Sequence, residues 1–480
     1  MRSFRVIDCL STKVVKAAKN CEYVALSYVW GKPLSSGPGG DLAFQNVEFA
    51  PKVILDSIEL VKRLGLQYLW VDRYCINQAN AQEKHDQICQ VDMIYASAQF
   101  AIIAAASGDP NYGLPGVNGT SRNPQPAIKI GEQIIISTLD SPDTLLSRSE
   151  QQVFFECNSM HCVETVNLPL NAMREDAPQD FHGPFSTAGA FKTKATGIPS
   201  SFMSCIREFT MRKLSYETDA LNAMSGVFSV FEKVHPAIFQ LKGVPFMTRI
   251  APGSPQTFTA DYEFVIGLLW WHPDARQCCR RAIFPSWSWA GWAGPTGGSF
   301  RFNESAQMKC GVKMSVELPN KRLKPFPRQR KHIPPFLAKA RDAKFIHFTA
   351  KTSACKIIKK ATSLGLEHQL LYAALLVGDV SINIELSFFP DELILSEQGL
   401  ASCLFREGLT AMILAYNSFE STPYYMSIIV AKQSRCGEYM ERVGNVSMVS
   451  DFGNPKKSGG YSREIKDWLA RRPVQTIRLG

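Results

Sequence analysis

Residues 64–78 read LGLQYLWVDRYCINQ, an apolar run followed at once by polar and reactive side chains. Tyr68–Val71 do not alternate between apolar and polar, a pattern typical of a strand covered on both faces, as in a parallel sheet. In open α/β sheets, ligands bind beyond the carboxyl ends of the strands. Recognition or chemistry is therefore expected at Asp72, Arg73, Cys75, Asn77 and Gln78. A structural alternative is that Asp72 caps a turn and Cys75 is a small buried hydrophobic residue.

Apolar and amphipathic segments alternate around this strand. Tyr23–Gly31, YVALSYVWG, is a second apolar strand, and Phe100–Ala106 is a third. Between them, Pro51–Leu64 and Ala79–Ala98 have the apolar spacing of helices. This alternation predicts βαβ units and an α/β fold with a mainly parallel sheet and covering helices. The second strand ends in further candidate binding residues, namely Tyr28, Trp30 and Gly31.

The composition indicates a folded protein of two or three structural units, since 480 residues exceed the usual size of one core and hydrophobic residues make up 45%. The 13 scattered cysteines suit a reducing compartment. The N-terminus lacks the apolar core of a secretory signal, and no apolar run reaches the ~20 residues that cross a bilayer. We therefore expect a cytoplasmic protein without a membrane partner.

Later segments predict three further parts of the chain. Residues 166–320 form a helical and Trp-rich extension, in which Trp287, Trp289 and Trp292 are predicted to lie in a core rather than a ligand cage. Residues 321–344 contain nine Lys and Arg, one acid and four prolines, so we expect an exposed linker. A localisation or nucleic-acid role is the less favoured alternative, and nucleic acid is not expected as a partner. Residues 345–480 contain short runs rich in β-forming residues, which predict an antiparallel β-rich unit.

Common catalytic motifs do not occur in the sequence. There is no P-loop, G-x-G-x-x-G, H-E-x-x-H, paired C-x-x-C or G-x-S-x-G, so no cofactor is implied. A nucleophilic role for Cys75 would require a nearby base such as His85. One group has residue types that could bind a metal, but it lacks a second pair of ligands, so a structural role is favoured and no metal is predicted: Cys157, His161, Cys162 and Glu164.

Three segments together resemble the successive boxes of the fungal heterokaryon incompatibility (HET) domain. They are YVALSYVWG, LWVDRYCINQ and MIYASAQFAIIAAASGDPNYGLPGV, in the family's order and spacing. The resemblance covers residues 1–165 firmly and parts of 210–294 loosely. One family segment, R-G-W-T-x-Q-E, has no counterpart here, because Ile136 leads through STLDSPDT directly into Leu145.

The resemblance implies a module of fungal non-self recognition, linked to programmed cell death and innate immunity, that acts through protein partners of the incompatibility pathway or by self-assembly. The missing segment would weaken it. An alternative comes from the likeness of HET domains to TIR domains, some of which cleave NAD. In that reading Tyr28 and Trp30 could stack a nucleotide ring, Asp72 could hold a ribose, and Asp72 or Cys75 would be the catalytic candidates. The sequence leaves open whether the protein is an enzyme.

Overall fold

A computed structural model describes the following residues: 4–31, 47–88, 90–123, 127–131, 133–136, 153–157, 160–163, 198–212, 214, 216–234, 237–247, 249–250, 257–258, 260–272, 278–297, 309–310, 312–327, 329–359, 372–377, 380–385, 387–388, 408–416, 424–450 and 467–480. The chain divides into two units, Met1–Thr196 and Gly197–Gly480.

A five-stranded sheet forms the centre of the first unit, in the order β2-β1-β4-β3-β5. Its strands are β1 (Arg5–Asp8), β2 (Lys13–Lys16), β3 (Tyr23–Ser27), β4 (Tyr68–Val71) and β5 (Ala101–Ile103). The parallel pairing of β3 with β4 and with β5 is confirmed. However, β1 pairs antiparallel with both β2 and β4. The sheet is therefore mixed, and the prediction that it is mainly parallel holds only for β4, β3 and β5, which lie together at one end of the sheet.

Four helices accompany this sheet: α1 (Lys52–Arg63), α2 (Asp72–Cys75), α3 (Ala81–Ile88) and α4 (Val91–Ser97). The apolar side of α1 packs into the same core as the strands through Val53, Ile54, Ile58 and Val61. The single helix predicted over residues 79–98 is instead two helices, because the backbone at Gln90 leaves helical geometry (φ −115°, ψ 8°). Two separate hairpins follow, β6 (Ala127–Ile130) with β7 (Gln133–Ile136) and β8 (Phe154–Cys157) with β9 (Met160–Val163).

In the second unit, the predicted helical part contains α5 (Ile198–Thr210), α6 (Ser225–Lys233) and α7 (Ala260–Gly267). The tryptophans Trp287, Trp289 and Trp292 are 0–3% exposed, which confirms their place in a core. Each indole N–H donates to a backbone carbonyl, which satisfies its one polar atom inside that core.

An eleven-stranded sheet dominates the rest of this unit, and the predicted antiparallel β-rich part is confirmed within it. Three short antiparallel pairs precede it in the sequence. They are β10 (Phe239–Leu241) with β11 (Val244–Phe246), β12 (Arg249–Ile250) with β13 (Thr257–Phe258), and β14 (Cys279–Arg280) with β15 (Trp292–Ala293). The large sheet comprises β16 (Lys309–Cys310), β17 (Lys313–Glu317), β18 (Leu323–Pro325), β19 (Ile346–Lys359), β20 (Tyr372–Val377), β21 (Val380–Glu385), β22 (Ser387–Phe388), β23 (Leu409–Tyr416), β24 (Tyr424–Gln433), β25 (Met440–Ser450) and β26 (Val474–Leu479). All its pairings are antiparallel except a single parallel contact between β25 and β26.

The basic segment 321–344 is not a linker, and that prediction is wrong. It contributes β18 and a helix, α8 (Ile333–Ala340), whose Pro334 and Pro335 occupy the first helical turn. Proline is tolerated there because those backbone nitrogens would have no intrahelical acceptor. Residues from all three predicted later parts share one core, for example Phe264, Phe336 and Phe348.

Within the described ranges, no helix is both long and apolar enough to cross a membrane.

Candidate functional site

The carboxyl ends of β3 and β4 bring Trp30 and Asp72 together, as the sequence predicted. The indole Nε1 of Trp30 donates to both carboxylate oxygens of Asp72, at 2.9 and 3.0 Å. The two residues lie 42 positions apart in the chain, and the parallel pairing of their strands aligns the ends from which they project. Trp30 remains 38% exposed, so one part of its ring faces solvent.

Arg73 completes this contact on the same side of the sheet. Its backbone N–H donates to Oδ1 of Asp72 at 2.6 Å, and its guanidinium donates to the backbone carbonyl of Trp30 at 3.3 Å. The guanidinium carbon lies 5.8 Å from the centre of the Trp30 ring, within the range of a cation–π contact. Trp30, Asp72 and Arg73 therefore form one cluster of mutual contacts, which we call the edge cluster.

Burial dominates the electrostatics of Asp72. It raises the pKa of this carboxyl group to about 6, against the opposing effects of the Arg73 backbone N–H, the Trp30 indole and the Arg73 charge. Burial also raises the pKa of Tyr28 and that of Tyr95, the latter to about 12, and the nearby negative charge of Asp72 adds to both. The carboxyl group therefore changes its charge near neutral pH, a feature that often accompanies functional sites.

Tyr28 lines a small pocket beside the edge cluster, and Gly31 packs against Pro110, another lining residue of that pocket. Gly31 has a φ of +72°, and a Cβ there would lie 2.7 Å from Cδ of Pro110, so a larger residue would be strained and would displace the loop. The Tyr28 hydroxyl is buried without a hydrogen-bond partner of normal geometry in the described part of the chain, although the Arg73 charge is near enough to oppose the rise in its pKa. The pocket has a volume of about 10 Å³, room for about one water molecule. This volume is far below the ~300–1,000 Å³ typical of ligand sites.

Gln78 also reaches this edge, but through the backbone. Its side-chain amide donates to the carbonyls of Asp72 and Ile76 at 3.4 and 3.3 Å. Asn77 donates to Glu83 at 3.2 Å, and Glu83 pairs with Arg5 at 3.0 Å. These contacts fix the turn between α2 and α3, so both amide side chains support the site rather than point into it.

Cys75 occupies an environment that suits packing. It is 0% exposed, its sulfur accepts the Val71 N–H at 3.3 Å, and burial raises its pKa to about 12. A nucleophilic cysteine reacts as the thiolate, and a thiol in this state carries almost no thiolate at neutral pH. The side chain of His85, the base considered for it, lies outside the described part of the structure.

Asp56 is a site residue that the sequence reasoning missed. Helical spacing alone places this acid on the polar side of α1, yet it is 0% exposed. Its carboxylate accepts from the Leu114 backbone N–H at 2.8 Å and the Thr120 hydroxyl at 2.6 Å, and it pairs with Lys52 at 3.1 Å. The Lys52 ammonium also contacts the Thr120 hydroxyl. Asp56 thereby ties α1 to the loop that carries Pro110, next to the edge cluster.

A metal role for Cys157, His161, Cys162 and Glu164 is not tested, because their side chains lie outside the described part of the structure. Among the residues that it does describe, no group of three or more His, Cys, Asp or Glu could hold a metal ion.

Comparison with known proteins identifies one family. Residues 23–156 match the family described as heterokaryon incompatibility protein (HET). No curated protein and no solved structure matches the chain. The match spans β3, β4, β5 and the edge cluster, and so includes the three boxes that carry the sequence resemblance. This chain therefore carries a heterokaryon incompatibility (HET) domain over residues 23–156.

Proposed function

We propose that this protein is a fungal non-self recognition module whose HET domain acts in heterokaryon incompatibility and cell death through contacts with protein partners. The observation that carries the proposal is the edge cluster inside the HET domain. It holds a partly exposed tryptophan in a fixed orientation and uses the nearby carboxylate to do so.

The surface around Trp30 has the features of a protein-binding site. Val29 is 58% exposed and Trp30 is 38% exposed, and the Arg73 guanidinium lies against the ring. Tryptophan and arginine are enriched among the residues that dominate the energetics of protein interfaces. Because Asp72 and Arg73 already fix the ring, little rotamer entropy would be lost when a partner binds.

The geometry favours this function over NAD cleavage by a TIR-like enzyme. A ribose hydroxyl would have to share Asp72 with the Trp30 indole and the Arg73 backbone N–H, which already donate to this carboxylate. The pocket beside Tyr28 is smaller than a nucleotide requires. Cys75, the other catalytic candidate, is wholly buried.

The missing family segment belongs to the same proposal. It would have lain after Ile136, within residues 137–150, which are outside the described ranges. A buried tryptophan contributes about 3–5 kcal/mol in typical cores, so its loss would leave the domain less stable. We propose that this chain has a weaker effect than HET domains that retain the segment.

The test is induced expression in a filamentous fungus, with growth rate as the readout. Four versions at equal protein level are compared: wild type, a version with the family segment inserted after Ile136, and Trp30→Ala and Ile128→Ala in that inserted version. Ile128 is a matched control because it is an exposed apolar residue of the same unit, outside the edge cluster.

The proposal predicts that the inserted version slows growth more than wild type, that Trp30→Ala removes this effect and that Ile128→Ala retains it. The proposal fails if neither wild type nor the inserted version affects growth. It also fails if the purified protein releases nicotinamide from NAD, which would support the enzymatic alternative.

A further inference from the structure

The turn between β10 and β11 has a lysine where its backbone favours another residue. Lys242 and Gly243 form this two-residue loop, since Leu241 and Val244 pair on either side of it. Lys242 has a φ of +51° and Gly243 a φ of +83°. Two consecutive positive φ values are typical of a type I′ turn, for which Asn-Gly is the preferred sequence. The backbone conformation of Lys242 is therefore unfavourable for a lysine, a feature that often accompanies functional sites.

A buried segment holds this turn in place. The Ser288 hydroxyl donates to the Lys242 carbonyl, and the Trp289 indole N–H donates to the Gly243 carbonyl at 2.8 Å. Ser288 and Trp289 are both 0% exposed. The core of the second unit thus fixes the backbone of Lys242, so its side chain starts from a constant position.

The same buried segment also anchors Lys344. Trp287, which directly precedes Ser288, donates its indole N–H to the Lys344 carbonyl at 3.2 Å. Lys242 and Lys344 are far apart in the sequence, yet consecutive core residues hold their carbonyls. Arg341 lies near Lys344 in the sequence, directly after α8.

Three positive charges therefore converge at this turn. Burial lowers the pKa of Lys242, and the charges of Arg341 and Lys344 lower it further, against the opposing charge of Asp342. Asp342 acts only through its charge, and no carboxylate among the residues that the structure describes forms an ion pair with Lys242. Lys242 is half-buried, and buried charges in proteins are usually paired. We call Lys242, Arg341 and Lys344 the cationic cluster.

We propose that the cationic cluster binds the terminal phosphate group of a small molecule. The phosphate would supply the negative charge that Lys242 lacks, and charge-assisted hydrogen bonds to phosphate oxygens are among the stronger ones in proteins. The guanidinium of Arg341 suits two oxygens at once, whereas each lysine acts as a point charge. The cluster belongs to the second unit, outside the HET match at residues 23–156, and shares no residue with the edge cluster.

A terminal phosphate fits this cluster better than the backbone of a nucleic acid. Arg341 and Lys344 are exposed but Lys242 is half-buried, so the bound group must project past the exposed charges to reach it. A terminal phosphate projects from its molecule and carries about two negative charges at neutral pH. A backbone phosphate carries one charge and continues into sugar on both sides.

The experiment measures stability and ligand affinity in matched variants of the full chain. Lys242→Asn removes the charge and gives the turn its preferred residue. Lys321→Asn is the control, because Lys321 is an exposed lysine with a φ of +61° outside the cationic cluster. Arg341→Gln with Lys344→Gln removes the other two charges. Pyrophosphate is the probe in isothermal titration calorimetry, with NaCl of equal ionic strength as the reference, and Tm is measured without ligand.

We expect wild type and Lys321→Asn to bind pyrophosphate equally. Both Asn variants should raise Tm by about 2 °C, because Asn relieves backbone strain, while Lys242→Asn alone loses about ten-fold in affinity. The Arg341/Lys344 double variant should lose at least as much affinity without the gain in Tm. No binding by wild type, or equal affinity in Lys242→Asn, would overturn the proposal. Loss of affinity with a lower Tm in Lys242→Asn would assign the lysine a structural role and would also overturn it.

Discussion

Replacing Asp56 by Ala should release the loop at residues 110–120 from α1. The change removes the acceptor of the Leu114 N–H and of the Thr120 hydroxyl, and the ion-pair partner of Lys52. It acts at a position that is 0% exposed, so water does not readily replace the carboxylate.

The expected cost is about 2–4 kcal/mol. Leaving a buried donor without an acceptor costs about 1–3 kcal/mol, and both the Leu114 N–H and the Thr120 hydroxyl lose their acceptor. Loss of the ion pair adds little, because Lys52 is 39% exposed and water can solvate its charge. The bond from Val53 N–H to the Pro110 carbonyl, at 3.0 Å, should keep the start of the loop in place.

Hydrogen exchange measured by mass spectrometry on the full chain reads this local opening directly. A loss of about 3 kcal/mol corresponds to about hundred-fold faster exchange in the peptide that contains Leu114. Glu59→Ala is the control on the same helix, since its pairs with Lys62 and Arg63 lie at the surface. Asp56→Asn, which keeps one acceptor oxygen, should fall between. Equal exchange in Asp56→Ala and wild type would refute the role assigned to Asp56.

Three further predictions concern titration and reactivity. Because the folded pKa of Asp72, about 6, lies above the ordinary value of 3.8, its contribution to stability is present below pH 3.8 and is lost as pH rises through 6. The indole N–H resonance of Trp30 should therefore shift with a midpoint near pH 6 in wild type, and it should show no such shift in Asp72→Asn. The pKa of Glu317 is lowered to about 2, first by its hydrogen bonds from Arg478, so its contribution to stability is present above pH 4.5 and is lost as pH falls toward 2. Stability measured against pH in Glu317→Gln should lack this loss. Cys75 should resist alkylation in the folded protein at pH 8 and react after denaturation, and rapid native labelling would contradict its assigned burial.

The three parallel strands, β3, β4 and β5, could be predicted because their sequences carry the information locally. Tyr68–Val71 is buried at every position except Tyr68, which is half-buried. Helical segments precede and follow this strand in the sequence, and a helix between two neighbouring strands is typical of parallel pairing. The pairing of β1 could not be predicted in this way. Its two middle residues are buried and its end residues are half-buried, which does not indicate a neighbouring strand. Its antiparallel pairing with β4 depends on a long-range partner, Leu69, which lies opposite Ile7.

The edge cluster was predictable in position but not in its contacts. Strand ends indicated that Trp30 and Asp72 would meet, but the sequence suggested a carboxylate free for a ligand rather than one that accepts from the indole. Asp56 escaped because its partners Leu114 and Thr120 are about 60 residues away, at separations of 58 and 64. Helical spacing alone assigns such an acid to the solvent side.

The prediction that the basic segment 321–344 is a linker failed for a different reason. Its four prolines favoured a linker, but Pro334 and Pro335 fall in the first turn of α8, where proline is compatible with helical geometry. Pro325 and Pro327 lie before the helix. The apolar residues Ile333, Phe336 and Ala340, spaced three and four apart, were the signal that this segment packs on a core.

The growth effect of Asp72→Asn, measured in the version with the inserted family segment, tests the central claim most directly. Asparagine keeps an oxygen that can accept from Trp30 and from the Arg73 N–H, but it cannot carry the negative charge that catalysis or ribose binding would use. The account, in which Asp72 orients a recognition tryptophan, predicts growth suppression equal to that of the parent, while Trp30→Ala abolishes it. Loss of suppression in Asp72→Asn at equal protein level, with suppression retained in Trp30→Ala, would contradict the account.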